Sequence, residues 1–296
     1  MIDITPIKGA AHGANVWGLN LNDPCTEDLI KTLADALYEY RVLIIKNQQL
    51  NKSRYLEFGK WWGEPIPHVL DHMRMPEYPE LLAVGNTEQK DKSDEIRNGA
   101  ALWHTDQSYE SIPASATMLY SILVPIQGGQ TKLADMTAAY DALDNDMKHK
   151  IDALEVAHLY GAGKLLDEEF RANPLTTSDQ VARIPSCYHP LVMKHPVTGR
   201  KSLYATGQSC FGIKGMDDDE AIKLLWTLKM HAIQDQFVYS HTYEVGDIAM
   251  FDTLSTMHSA VPIEQADENR PETKRLLWRI SVRGVPKIYE NLTKAL

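Results

Sequence analysis

Residues 102–109 read LWHTDQSY and bring a histidine, His104, within two positions of a carboxylate, Asp106. On an extended strand alternate side chains share a face, so the two would present one nitrogen and one oxygen donor to the same point. With 11 histidines and 40 acidic residues in 296, about one such His-x-acid pair arises by chance, so the pair needs a third donor to carry meaning. His258 is the candidate, because it follows an apolar strand and sits in a segment of small residues that includes Ser255, Ser259 and Ala260. Two imidazoles and one carboxylate on one face of Fe(II) leave the remaining positions open for substrate and oxygen. A lone histidine is nonetheless more often structural than a ligand.

The elements that would position these donors are mostly strands. In KRLLWRISVRGVP, Leu276, Trp278, Ile280 and Val282 alternate with Arg275, Leu277, Arg279, Ser281 and Arg283, the period of a strand with one face in a core. Arginines on one strand face of an acidic protein need an anion, and a dicarboxylate fits. The segment RVLIIKN reads as a buried strand, and YEVGDIAMFDTLSTMHSAVP as a turn at Gly246 and Asp247 leading into an apolar strand and then His258. Helices are expected from Thr26 as N-cap, with Leu29, Leu33 and Leu37 on one stripe, over residues 136–154, and over 217–233, where Ala221, Leu224, Leu225, Leu228 and Ala232 share a face. The polar stretch GNTEQKDKSDEIRNG, residues 85–99, reads as a solvated loop or, within 66–100, as a lid over a site. Tyr109, Met118 and Phe211 read as core, with lining of the pocket as the alternative.

Composition bounds the rest. At 44% hydrophobic and 24% charged residues the chain can bury a sizeable core, and no repeat or linker divides residues 1–296 into more than one domain. A formal charge of −10 and a pI near 5.5 argue against nucleic acid and anionic membranes as partners and leave a small molecule. Cys25, Cys187 and Cys210 form no CxxC pair and fit a reducing cytoplasm, and no signal segment or membrane span is expected. Self-association into a homo-oligomer is compatible with all of this.

The order of WHTD, GGQT, HPVTGRKSLY, GDIAMFDTLSTMH and RLLWR, preceded by VLIIKNQ, resembles the Fe(II)- and 2-oxoglutarate-dependent dioxygenases of the taurine dioxygenase (TauD/TfdA) group nearly from end to end. The resemblance implies a mainly β fold with flanking helices, a double-stranded β-helix (jelly-roll, cupin-like) core with the metal in its mouth. It implies that His104, Asp106 and His258 hold Fe(II), that Thr131 and Arg275 bind the distal carboxylate of 2-oxoglutarate, and that Arg279 and His68 contact substrate. Arg279 in a plain ion pair and His68 as an ordinary polar loop residue are the alternatives. The implied reaction consumes O2 and 2-oxoglutarate, releases succinate and CO2, and hydroxylates a C–H bond of a small amino acid, sulfonate, sulfate ester or carboxylate. Asp106 favours hydroxylation over halogenation, because related halogenases carry a small residue there so that chloride can bind.

The chain departs from the group's pattern at Asp71 and Ala100, where taurine dioxygenase has a tyrosine and an asparagine, and its loop between His258 and Arg275 is longer. A carboxylate at position 71 would repel a sulfonate or favour an amine nearby, which argues against taurine and leaves a zwitterion such as an amino acid open. Other outcomes of the same motif are desaturation or ring closure, zinc hydrolysis at the same three donors, or a non-catalytic jelly-roll binding protein.

Overall fold

A computed structural model describes residues 2–87, 99–160, 178–204 and 206–290. The barrel strands are β1 (Val42–Ile45), β2 (Tyr78–Gly85), β3 (Ala116–Leu123), β4 (Thr131–Asp135), β5 (Val238–His241), β6 (Ile248–Asp252), β7 (Thr256–Ala260) and β8 (Leu276–Arg283). One antiparallel sheet runs β1-β6-β3-β8-β2 and is extended at its edges by short strands such as Ala14–Trp17. The facing sheet runs β5-β4-β7. Two antiparallel sheets of this kind with helices outside are the jelly roll that the resemblance implies.

Strand β8 shows how sequence periodicity becomes architecture. Its even-numbered residues, Leu276, Trp278, Ile280 and Val282, join an outer core with helices α1 (Glu27–Tyr40) and α2 (Lys52–Lys60). The odd-numbered face is buried as well. Leu277 meets Val42, Ile44, Leu119, Leu133, Tyr243, Ala249 and Phe251 between the two sheets, and Arg275 and Ser281 are buried on the same face. The expectation of a single buried face is therefore corrected, because the second sheet covers the arginine face.

Thr26 caps α1 as expected, its side chain accepting from the Leu29 amide, while Ile30, Leu33, Ala34 and Leu37 form the buried stripe. The expected helix over residues 136–154 is instead α3 (Met136–Asp141) and α4 (Asn145–Ile151). Asp144 ends the continuity because its carboxylate caps the Met147 amide, a bond that a helix-interior aspartate cannot make. After α5 (Ser178–Arg183), α6 (Asp218–Ala232) starts on the Asp217 cap and buries the predicted Ala221, Leu224, Leu225, Leu228 and Ala232 face against β4, β7 and α3.

Residues 102–109 do not form the expected strand. His104 makes a single antiparallel bridge to His258, and the chain then turns, with Gln107 at φ 50° and its carbonyl accepting from the Glu110 amide. Asp106 thus reaches His104 through a turn. For the expected lid, residues 88–98 lie outside the described ones. Among the described residues no helix is long and apolar enough to cross a membrane.

Candidate metal and anion site

His104 and His258 are locked together through their backbones. Each amide donates to the other's carbonyl, at 2.8 and 2.9 Å, so His104 extends the β5-β4-β7 sheet beyond β7. Gly207 packs on this bridge, where a Cβ would lie 3.0 Å from the His104 Cα. The imidazole centroids are 4.1 Å apart, and each Nε2 lies 3.8 Å from an Asp106 carboxylate oxygen. One ligand atom from each of the three residues falls within 4.8 Å of the others.

Around these donors the hydrogen bonds set which atoms are available. His104 Nδ1 lies 2.7 Å from the Leu102 carbonyl, which requires a proton on Nδ1 and leaves the Nε2 lone pair for a metal. His258 is fully buried beside Phe251, and burial followed by the neighbouring His104 lowers its pKa to about 3, so it is neutral and able to ligate. Its Nδ1 has no partner among the described residues. Asp106 Oδ2 accepts from Thr117 Oγ1 at 2.9 Å, Thr117 in turn contacts Ser281 Oγ at 2.9 Å, and Oδ1 accepts from Arg279 Nη1 at 3.0 Å. Burial disfavours the Asp106 carboxylate, but Arg279, the two histidines and Thr117 outweigh it and hold its pKa well below the usual range. Two imidazoles and one ionised carboxylate, with His104 and Asp106 oriented by hydrogen bonds and His258 by its backbone bridge, fit a divalent metal of the iron or zinc type.

A second feature lies at the residue that precedes β8. Arg275 is buried, its Nε has no partner, and among the described residues no carboxylate pairs with it. Burial lowers its pKa, opposed by Tyr243, whose ring centroid is 6.0 Å from the guanidinium carbon. Tyr243 also hydrogen-bonds Thr131 Oγ1 at 2.9 Å, so the predicted pair Thr131 and Arg275 is joined through a residue that no motif indicated. The glycine pair has a direct reason: Gly129, at φ +74°, presses on Arg275, and a Cβ there would lie 3.0 Å from both Cδ and Nε. Asn86 holds the backbone of Arg275, its side chain accepting from the Arg275 amide at 2.8 Å while its own amide donates to the Arg275 carbonyl at 3.1 Å. A buried unpaired guanidinium fits an anionic ligand.

The three arginines of the strand have separate roles. Arg279 pairs with Asp106, and Arg283 makes outer ion pairs with Glu64 and Glu110. His68 is near the same centre: burial, then Arg279, lowers its pKa to about 3, and its Nδ1 accepts from the Leu70 amide at 3.1 Å. Asp71, expected to favour an amine in the site, instead bridges Arg74 and Arg183 at 2.8 Å each, which neutralises its charge. Thr117, Ser281 and Asn86 escaped the sequence reading. Only Ser281 carried a signal, as a polar residue on the arginine face of β8.

Comparison with known proteins agrees with this geometry. The chain is 30% identical over 295 residues to an (S)-phenoxypropionate/alpha-ketoglutarate-dioxygenase of Sphingobium herbicidovorans, with 96% of both chains covered. It is 29% identical over 256 residues to an alpha-ketoglutarate-dependent 2,4-dichlorophenoxyacetate dioxygenase of Cupriavidus pinatubonensis, covering 83% of this chain and 87% of the relative. Among solved structures, AAD-2 in complex with Mn(II) and N-oxalylglycine superposes with a TM-score of 0.78 at 29% identity, covering 96% of this chain and 98% of AAD-2. The family model described as taurine catabolism dioxygenase TauD, TfdA family, matches residues 3–281, and the chain belongs to that family.

Proposed function

We propose that the protein is a non-haem Fe(II)- and 2-oxoglutarate-dependent dioxygenase that hydroxylates a C–H bond of a small anionic molecule. The observation that carries this reading is the convergence of His104, Asp106 and His258 within 4.8 Å inside a barrel whose strand β8 is directly preceded by a buried Arg275 with no carboxylate partner among the described residues. His104, Asp106 and His258 hold the metal, with Thr117 and Arg279 fixing the carboxylate so that one geometry is presented. Thr131 and Arg275 bind the distal carboxylate of 2-oxoglutarate, and Tyr243 and Gly129 keep the guanidinium in place. When bound, Fe(II) with 2-oxoglutarate and O2 supplies the oxidising power for the C–H bond, with succinate and CO2 as co-products. The N-oxalylglycine in the AAD-2 structure is a dicarboxylate of the same kind as 2-oxoglutarate, which supports the cofactor assignment.

Arg279 and His68 receive the acidic end of the substrate. With Asp71 tied to Arg74 and Arg183, the described residues favour a monoanionic carboxylate over an amino acid, in line with the aryloxyalkanoates that the relatives are named for. We read residues 1–296 as one domain, supported by a family match over residues 3–281. A reducing, cytoplasmic setting is supported by the free state of Cys25, Cys187 and Cys210.

The test is anaerobic titration of the purified protein with Fe(II) and 2-oxoglutarate, following the weak visible charge-transfer band of an iron-chelated keto acid. The band is expected in the wild type and absent in His104→Ala and His258→Ala. A folded wild-type protein that gives no band would remove the cofactor assignment and favour zinc or a non-catalytic role.

A further inference from the structure

Tyr109 lies three residues beyond Asp106, at the end of the turn that carries that ligand, and it is 5% exposed. Its ring packs edge-on against Tyr160 at 4.8 Å, and Tyr160 in turn lies edge-on to His68 at 6.1 Å. Val69, Leu70 and Ile184 complete this small cluster, which stands apart from the larger cores. The Tyr109 hydroxyl is buried and has no hydrogen-bond partner among the described residues. An unmet buried hydroxyl is costly, so a folded chain rarely keeps one without a reason.

Other hydroxyls are orphaned too, and surroundings separate them. Around the buried Tyr204 hydroxyl the charged and ionisable neighbours are Cys210, Cys187 and Asp252, with no cation among them. The charged and ionisable groups around the Tyr109 hydroxyl are Tyr160, Arg279, Glu110 and Asp106, so Tyr109 lies in the neighbourhood of the candidate metal ligand three residues before it and of the arginine proposed for the substrate's acid. Glu110 is engaged by Arg283 at 3.4 Å. Among the described residues Arg279 makes one side-chain hydrogen bond, to Asp106, out of the five N–H donors of a guanidinium. A carboxylate has two oxygens and about four lone-pair sites, so it can accept from a guanidinium and a phenol together.

We propose that Tyr109 is a substrate-binding, specificity-determining residue whose hydroxyl donates a hydrogen bond to the substrate carboxylate that Arg279 neutralises. The Tyr109, Tyr160 and His68 rings then form one wall of the substrate site, and the hydroxyl discriminates acids from their neutral analogues. The proposal rests on the dioxygenase reading above and adds a residue to it.

The test uses the full-length protein loaded anaerobically with Fe(II) and 2-oxoglutarate, in wild-type and Tyr109→Phe forms. The probes are 2-phenoxypropionate, 2,4-dichlorophenoxyacetate and their neutral primary amides, and binding is read as the change each causes in the visible charge-transfer band. A hydrogen bond to a charged group corresponds to about a 10- to 100-fold change in affinity, and Tyr109→Phe should weaken acid binding by that factor. Affinity for 2-oxoglutarate should be unchanged, and the amides should bind weakly and alike to both forms. Equal acid affinity in the two forms would overturn the proposal, as would an equal loss for acids and amides, which marks a packing role. A wild-type band that responds to neither acid would overturn it together with the acid-binding role of Arg279. Absence of the band itself would instead strike the dioxygenase reading.

Discussion

Arg275 concentrates the chemistry of the site at the scale of one residue. Its guanidinium is buried, its Nε is unpartnered, and the Tyr243 ring is its nearest electrostatic support. Such a charge is costly unless an anion completes it. Arg275→Ala should therefore weaken 2-oxoglutarate by about 2–5 kcal/mol, a rise in Kd of roughly 30-fold or more, with Fe(II) binding retained. Isothermal titration with Mn(II) in place of iron reads this directly, and an unchanged Kd would remove Arg275 from the site. The ligand residues and the arginines were legible from residue type and spacing. Their supports, Thr117 with Ser281 behind Asp106 and Asn86 behind Arg275, were not. Thr117 lies 11 residues from Asp106 and Asn86 lies 189 from Arg275, and no local pattern encodes a hydrogen bond across such separations.

At the scale of elements, a buried ionic cluster ties the ends of strands together. Lys46 follows β1, Asp247 precedes β6 and His241 ends β5, and Asp247 lies 2.8 Å from Lys46 and 3.3 Å from His241. Burial works against the Asp247 carboxylate, yet the neighbouring His241 and the hydrogen bonds from Lys46 and the Glu244 amide hold its pKa below the ordinary 3.8. The unfolded chain therefore takes up this proton first as pH falls. The stabilisation is complete above the unfolded value and is lost as pH drops through the folded one. Asp247→Asn should be less stable than wild type at pH 7, and the gap in urea midpoint should narrow below about pH 4. A gap that stays constant from pH 7 to pH 3 would show that the carboxylate charge is not the stabilising factor. The same scale shows why one expected element failed. Apolar spacing over residues 136–154 suggested a single helix, but Asp144 satisfies a helix start better than a helix interior and divides the segment in two.

Across the whole molecule, the site draws on both sheets and on the segment between β2 and β3. His258 comes from β7, Thr131 from β4, Arg275 and Arg279 from the β8 segment, and His104 and Asp106 from the turn that joins the smaller sheet by a single bridge. A metal and a dicarboxylate bound there hold the two layers and the turn at once, and they bind the folded state alone. Mn(II) with 2-oxoglutarate at about 100 times the Kd should therefore stabilise the protein by about 2.7 kcal/mol, seen as a higher thermal midpoint. The shift should be absent in Asp106→Ala, and an equal shift in that variant would place metal binding elsewhere.

The sequence by itself determined which chemistry is available: two imidazoles, one carboxylate and a run of arginines on one strand face, within a mainly β chain whose helices are capped where Thr26 and Asp217 stand. It determined these because periodicity, caps and ligand types act locally. Only the tertiary structure decided how the donors meet. His104 and Asp106 converge through a turn, Arg279 joins Asp106, Asp71 pairs with Arg74 and Arg183, and the Tyr109 hydroxyl is left buried without a partner among the described residues. Each of these depends on residues brought together from distant parts of the chain, where packing and the pairing of charges, and not local propensity, set the outcome.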